Sequence, residues 1–118
     1  MLEKRQEGSA EGQPPIRELA NMLLVATGEP TVIESDGETQ EIDTNSFSLS
    51  FVVHDDSFEI RNIDSRVSGV GSKVIGAIHD YCDKHELAVY ASNVKSTAHG
   101  FWRLMGYEEG ENDEFFRI

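Results

Sequence analysis

The stretch from Phe47 to His85 constrains the fold more than any other part of the chain. In "FSLSFVV", Phe47, Leu49, Phe51 and Val53 alternate with small polar residues; "HDDS" turns the chain, and in "FEIRNI" Phe58 and Ile60 alternate with Glu59 and Arg61. Alternation of period two buries one face of a strand and leaves the other wet, so two antiparallel strands sharing one covered face are expected. "RVSGVGS" follows, and from its second valine onward Val70, Val74, Ile78 and Tyr81 or Cys82 recur at three- and four-residue spacing, one apolar stripe on a helix ending near His85. A strand thus runs through a glycine-bearing loop into a helix that covers the sheet.

The flanks add smaller elements. "PPIRELANMLLVATG" has prolines at its start, Ile16, Leu19, Ala20, Leu23 and Leu24 at helical spacing, and Gly28 just past its end. In "TVIESDGETQEI", Asp36-Gly37 sits between short extended runs and predicts a two-residue hairpin turn centred on that pair. "LAVYAS" reads as a strand, Ser96 as the cap of a short helix ended by Gly106, and "FFRI" as a last strand. The order α, β-hairpin, β, β, α, β, α, β predicts an α+β fold with a mixed, mostly antiparallel central sheet and flanking helices.

At 118 residues and 38% hydrophobic content, the chain suits one domain over residues 14–118 after a polar tail over residues 1–13. With 22 Asp and Glu against 10 Lys and Arg, the net charge of −12 repels a phosphate backbone and argues against nucleic-acid binding. It suits a cationic partner, or serves solubility alone. No run approaches the roughly 20 apolar residues of a membrane span, and the start lacks the apolar core of a secretory signal. Cys82 is the one cysteine, which leaves no internal disulfide; a cytoplasmic setting is expected. His54, His79, His85 and His99 show no spacing that pairs them as metal ligands, so no metal is expected.

The loop "RVSGVGS" admits two readings from its residues. A strand entering a helix through glycines presents unpaired N–H groups and the positive end of the helix dipole, which suits an anion. Gly69 and Gly71 would let backbone approach a diphosphate, Arg66 would add charge and Ser72 a hydroxyl. The same residues also make an ordinary strand-to-helix connection.

Arg66-Val67-Ser68-Gly69-Val70-Gly71 resembles the (Gln or Arg)-x-x-Gly-x-(Gly or Ala) signature of the GNAT family of N-acetyltransferases, in which this loop opens a helix. "AHGFWRLMGYE" resembles the family's second signature, with Ala98, Phe101, Gly106 and Tyr107 in register. Two motifs in the right order, separated by a helix and a strand, are more specific than either alone. The resemblance implies a GNAT-like fold, N-terminally abbreviated because one helix precedes the strand at Phe47, and acetyl-CoA as co-substrate. It places the pyrophosphate on Arg66, Val67, Ser68, Gly69, Val70, Gly71 and Ser72, and the pantetheine arm beside Asn62, Ile63 and Asp64, with the thioester carbonyl near the Ile63 N–H.

Direct attack by a primary amine on the thioester is the implied reaction, and it needs an amine base and a thiolate acid. Trp102 stands where the family commonly has its acid tyrosine, and an indole gives up no proton at neutral pH. Tyr90, Tyr107 and Cys82 are the alternative donors. The family asparagine falls on Lys95, with Asn93 close enough to serve after a two-residue shift. Glu59 is a candidate base or, equally, a salt-bridged strand residue. The implied acceptor is a small cationic amine, such as a polyamine or aminoglycoside, or a protein amino group. The alternative is a non-catalytic domain that keeps the fold for a structural or partner-binding role, as small members of this fold do, including in phages.

Overall fold

The computed structural model describes residues 15–118, so the tail expected over residues 1–13 lies outside the described residues. Helix α1 (Ile16–Thr27) buries Leu19 and Leu23 and stops at Gly28, whose φ of 79° takes the left-handed conformation that ends a helix. The Gly28 N–H donates to the Leu24 carbonyl at 2.7 Å. Strands β1 (Ile33–Asp36), β2 (Thr39–Asp43), β3 (Phe47–Val53) and β4 (Ser57–Ser65) then form an antiparallel meander. The hairpin lies one residue later than expected: Asp36 pairs with Thr39, so Gly37 and Glu38 are the central pair. Only Gly37 of these has a positive φ, 65°.

Helix α2 (Val70–Lys84) crosses back, and β5 (Ala88–Ala91) pairs with β4 in the sheet's one parallel ladder. A 3₁₀ turn (Ser96–Ala98) and helix α3 (His99–Leu104) lead to β6 (Tyr107–Glu109) and β7 (Phe115–Arg117), completing a seven-stranded sheet ordered β1-β2-β3-β4-β5-β7-β6. The fold class is therefore the expected α+β with a mostly antiparallel sheet. Strand β6 was not anticipated, because three residues after Gly106 are too few to display alternation. Ser96 does not act as a cap: the residue before the 3₁₀ turn is Lys95, and no side chain caps either short helix.

One face of the sheet carries the core. Phe47, Leu49 and Phe51 of β3, Phe58 and Ile60 of β4, and Val89 and Ala91 of β5 meet Val74, Ile75, Ile78 and Tyr81 of α2 and Leu19 and Leu23 of α1. Phe51 and Phe58 stack at 4.9 Å, and Tyr81 meets Phe58 edge-on at 6.2 Å. The two helices are joined at the surface by Glu18, which accepts from His85 Nε2 at 2.7 Å and from Lys84 Nζ.

Candidate functional site

The site begins with a defect in the sheet. Ser50 pairs with Asn62 but Phe51 pairs with Ile60, so Arg61 is an extra residue in β4, a β-bulge. A bulge bends its strand and raises the local twist. The parallel ladder ends at the same place: Ile60 faces Ala91, and the Ser92 N–H donates to the Ile60 carbonyl at 3.0 Å. Beyond that bond β4 follows β3 to Ser65, whereas the other chain turns away at Asn93, whose φ is 53°.

A cavity of about 580 Å³ opens in the resulting gap. Asn62, Ile63 and Asp64 line it from β4, Ser92, Asn93 and Lys95 from the chain after β5, Gly71 from the start of α2, and Phe101 and Trp102 from α3. Of the residues the sequence singled out, Asn62, Ile63, Asp64, Gly71, Asn93 and Trp102 are brought together. Arg66, Val67, Ser68, Gly69, Val70, Ser72 and Glu59 do not line the cavity.

Of the two loop glycines, only Gly69 is required by its backbone. Gly69 sits at φ 86°, which side chains resist, and has open space where a Cβ would be. At Gly71 a Cβ would meet the Phe101 ring and Ser65 Cβ at 3.5 Å, ordinary contact with two cavity residues, so only a larger side chain would crowd the cavity there. The Val70 N–H donates to Val67 at 3.2 Å and Lys73 to Gly69 at 3.4 Å, and the remaining amides from Val67 to Ser72 have no backbone acceptor among the described residues. This is the donor set a helix start leaves over.

Arg66 is not a free cation. Its guanidinium is tied to Asp43 at 3.0 Å, Asp64 at 3.2 Å, Ser48 at 3.0 Å and the carbonyls of Asn45 and Thr44. The side chain clamps the end of β4 to β2 and the β2–β3 turn, which corrects its reading as an added charge on the loop. Arg66→Ala is expected to cost about 1 kcal/mol, since these are partly exposed, water-competed bonds. A urea midpoint shift reads the loss, and the penalty should shrink at high salt as the ion pairs are screened.

Glu59 points to the other face of the sheet from Phe58 and Ile60, where it is buried in a polar cluster. Ser92 Oγ donates to its Oε2 at 2.8 Å, Arg61 Nε approaches the same oxygen at 3.2 Å, and His54 Nε2 lies 3.0 Å from Oε1. Burial alone would raise the carboxyl's pKa, but the bonds from His54, Ser92 and Arg61, with the Arg61 charge, outweigh it and hold the group below its ordinary value. Arg61 continues across β3 to Thr39 Oγ1 at 2.9 Å and Glu38. Tyr90, beside Glu59 across the parallel ladder, has its pKa raised by burial and by the Glu59 charge; its hydroxyl lies 3.5 Å from His54 Nε2.

None of the three alternative acids faces the cavity. The Tyr107 hydroxyl bonds His79 Nε2 at 2.8 Å, and burial pushes its pKa well above the ordinary value. Cys82 is fully buried in α2 with its thiol pushed up to about 12 by burial, so it is packing. Trp102 is nearly buried, edge-on to Phe101 at 5.2 Å and to Tyr107 at 4.8 Å, and forms cavity wall and core together.

Ser92, Arg61 and His54 were missed as site residues. Their association depends on the bulge, which the sequence marks only by the two polar residues Arg61 and Asn62 between Ile60 and Ile63, and on the register of Glu59 with Tyr90, which leaves no mark.

No protein-family model and no curated protein matches the sequence. Among solved structures, the chain is similar to the crystal structure of anti-CRISPR protein AcrVA5, with a TM-score of 0.58 and 12% identity over 68% of this chain and 98% of that one. At that identity the likeness is one of fold. The fold itself is the expected α+β class, a mostly antiparallel sheet with one parallel pair among the described residues. Among the described residues no helix is long and apolar enough to cross a membrane.

Proposed function

We propose that the protein is an acetyl-CoA-dependent N-acetyltransferase of the GNAT type, cytoplasmic, acting on a cationic primary amine. The observation that carries this reading is the cavity where β4 and β5 part, walled by Asn62, Ile63 and Asp64 and reached by Gly71 at the helix start. An extended arm fits between the diverging strands, bonding backbone groups that the lost ladder leaves over. A pyrophosphate fits the unpaired amides from Val67 to Ser72, with helix dipole and amides supplying the countercharge that the occupied Arg66 does not. The acidic chain, at −12, attracts a cationic acceptor.

Acetyl-CoA should raise the melting temperature, because a ligand of the native state stabilises it by about 2.7 kcal/mol at 100 times its Kd. Gly71→Val adds a branched side chain against Phe101 and Ser65 and should weaken acetyl-CoA at least about tenfold by calorimetry, the scale of about 1.4 kcal/mol. Unchanged melting with acetyl-CoA, or unchanged affinity in Gly71→Val, would overturn the site.

A second reading is favoured by Trp102, which packs as core and offers no acid. It is a partner-binding protein that keeps the fold without turnover, in a phage setting such as the name anti-CRISPR indicates for the neighbour of shared fold. That reading expects a basic protein partner and no thermal response to acetyl-CoA.

A further inference from the structure

Side chains from four adjacent strands fall in one row across the sheet. Glu59 of β4 pairs with Tyr90 of β5, Tyr90 with Phe116 of β7, and Phe116 with Glu108 of β6. Paired residues project to the same side of a sheet. Here it is the side away from Phe58 and Ile60, which lie on the core face with α1 and α2. Tyr90 and Phe116 thus stand between two carboxylates, their rings 5.7 Å apart and within 26° of parallel. The His54 ring flanks Tyr90 at 6.4 Å and 14°.

The Phe116 ring has a place made for it. A Cβ at Gly110 would stand 2.6 Å from that ring, although Gly110 takes no positive φ, so the ring itself reserves the position for glycine. Phe116 is still 43% exposed. A large apolar side chain is laid on the sheet and left facing solvent beside a second ring.

The charge around the row is negative and unpaired. Among the described residues no cation pairs with Glu108 or Glu114. Burial, then the Glu59 charge and hydrogen bond, then the Glu114 charge raise the pKa of Tyr90, which puts the Glu114 carboxylate near the rings as well. The arginines of this region are engaged elsewhere: Arg61 by Glu59 and Glu38, Arg117 by Asp83, and Arg103 over the buried Phe115 ring.

We propose that this row docks an arginine-bearing segment of a protein partner. Aromatic surface attracts a cation. A guanidinium suits this one because it is flat, weakly hydrated and stacks on rings while its N–H groups meet a carboxylate, which Glu108 and Glu114 supply. Two arginines at alternate positions of an extended segment are about 6.6 Å apart, close to the spacing of Tyr90 and Phe116. None of Glu59, Tyr90, Phe116 and Glu108 lines the cavity, so the row serves a partner that is acetylated or one that is only held.

The test is an NMR titration of the isotope-labelled full chain with the capped peptide Gly-Arg-Gly-Arg-Gly and its lysine counterpart. Amide shifts should concentrate at Tyr90, Phe116 and Glu108, and the arginine peptide should bind more tightly than the lysine one. Phe116→Ala should weaken binding about threefold to tenfold, the scale of a cation–π contact. Gly110→Ala should do the same with Phe116 present, because its methyl forces the ring aside. Glu108→Gln with Glu114→Gln should also weaken binding, whereas Glu34→Gln with Glu41→Gln, an equal loss of charge from the far end of the same face, should leave it at the wild-type value. Attraction to the net charge of −12 alone would instead spread the shifts over the acidic surface, weaken binding equally in the two acidic pairs and spare Phe116→Ala. Any of those results overturns the proposal, as does equal affinity for the two peptides or no binding of the arginine peptide by the wild type.

Discussion

Phe58→Ala is expected to remove about 3–5 kcal/mol of folding stability, the usual cost of truncating a fully buried phenylalanine whose site cannot collapse. Phe58 has no exposed surface, and its ring is held on two sides, stacked on Phe51 at 4.9 Å and met edge-on by Tyr81 at 6.2 Å. Its strand neighbours are Val53 on β3 and Val89 on β5, so it sits where the antiparallel ladder to β3 meets the parallel ladder to β5 and where α2 packs down. Small domains hold about 5–15 kcal/mol in total, so the loss is a large part of what there is. Urea unfolding should show the midpoint falling with the slope unchanged. Phe116→Ala is the control: Phe116 is 43% exposed on β7, and its truncation should cost well under half as much. Equal costs for the two would contradict this account of the core.

Phe58 also marks how far the sequence could be read. Phe47 to Val53 and Phe58 to Ile60 alternate over enough residues to define strands, and the stripe on α2 follows from Val74, Ile78 and Tyr81. The apolar face of each segment is buried, so burial and periodicity coincide there, although Val52 and Glu59 on the opposite face of the strands are buried too. The bulge at Arg61 leaves only a slight trace, the two polar residues Arg61 and Asn62 that break the period of two between Ile60 and Ile63, and its extra count is fixed only against β3. Arg66 read as a loop cation because its partners, Asp43 and the carbonyls of Thr44 and Asn45, come from more than 20 residues earlier in the chain. Glu59 was legible as a polar residue facing away from the core. Its meaning depended on His54 across a turn and Ser92 across a parallel ladder, contacts fixed by register and invisible to local pattern. The cavity was legible only through the family resemblance, since strand divergence arises from the end of pairing between Ile60 and Ala91.

On the acetyltransferase reading, Trp102→Tyr is expected to raise turnover of a cationic amine by about 10²–10⁴-fold, the range of general acid catalysis. The indole occupies the cavity wall, between Phe101 and Tyr107, at the position where the resembling family commonly supplies the proton for the departing thiolate. An indole N–H cannot be transferred at neutral pH, whereas a phenol can give its proton to a thiolate as the C–S bond breaks. None of the three alternative donors weighed from the sequence is at hand: Tyr107 is bound to His79, Cys82 is sealed in α2, and Tyr90 does not line the cavity. The substitution has a structural cost, because the smaller phenol leaves space beside Phe101 and Tyr107, worth about 1–2 kcal/mol for a large-to-small aromatic change with partial collapse. Stability and activity are therefore expected to move in opposite directions in one variant, a pattern that improved packing cannot produce. Thiol release measured on both proteins with the same amines, beside their urea midpoints, separates the readings. A less stable variant with higher kcat marks an impaired acid site in a working enzyme. A less stable variant in which neither protein exceeds background hydrolysis marks the partner-binding domain, with Trp102 serving as core alone.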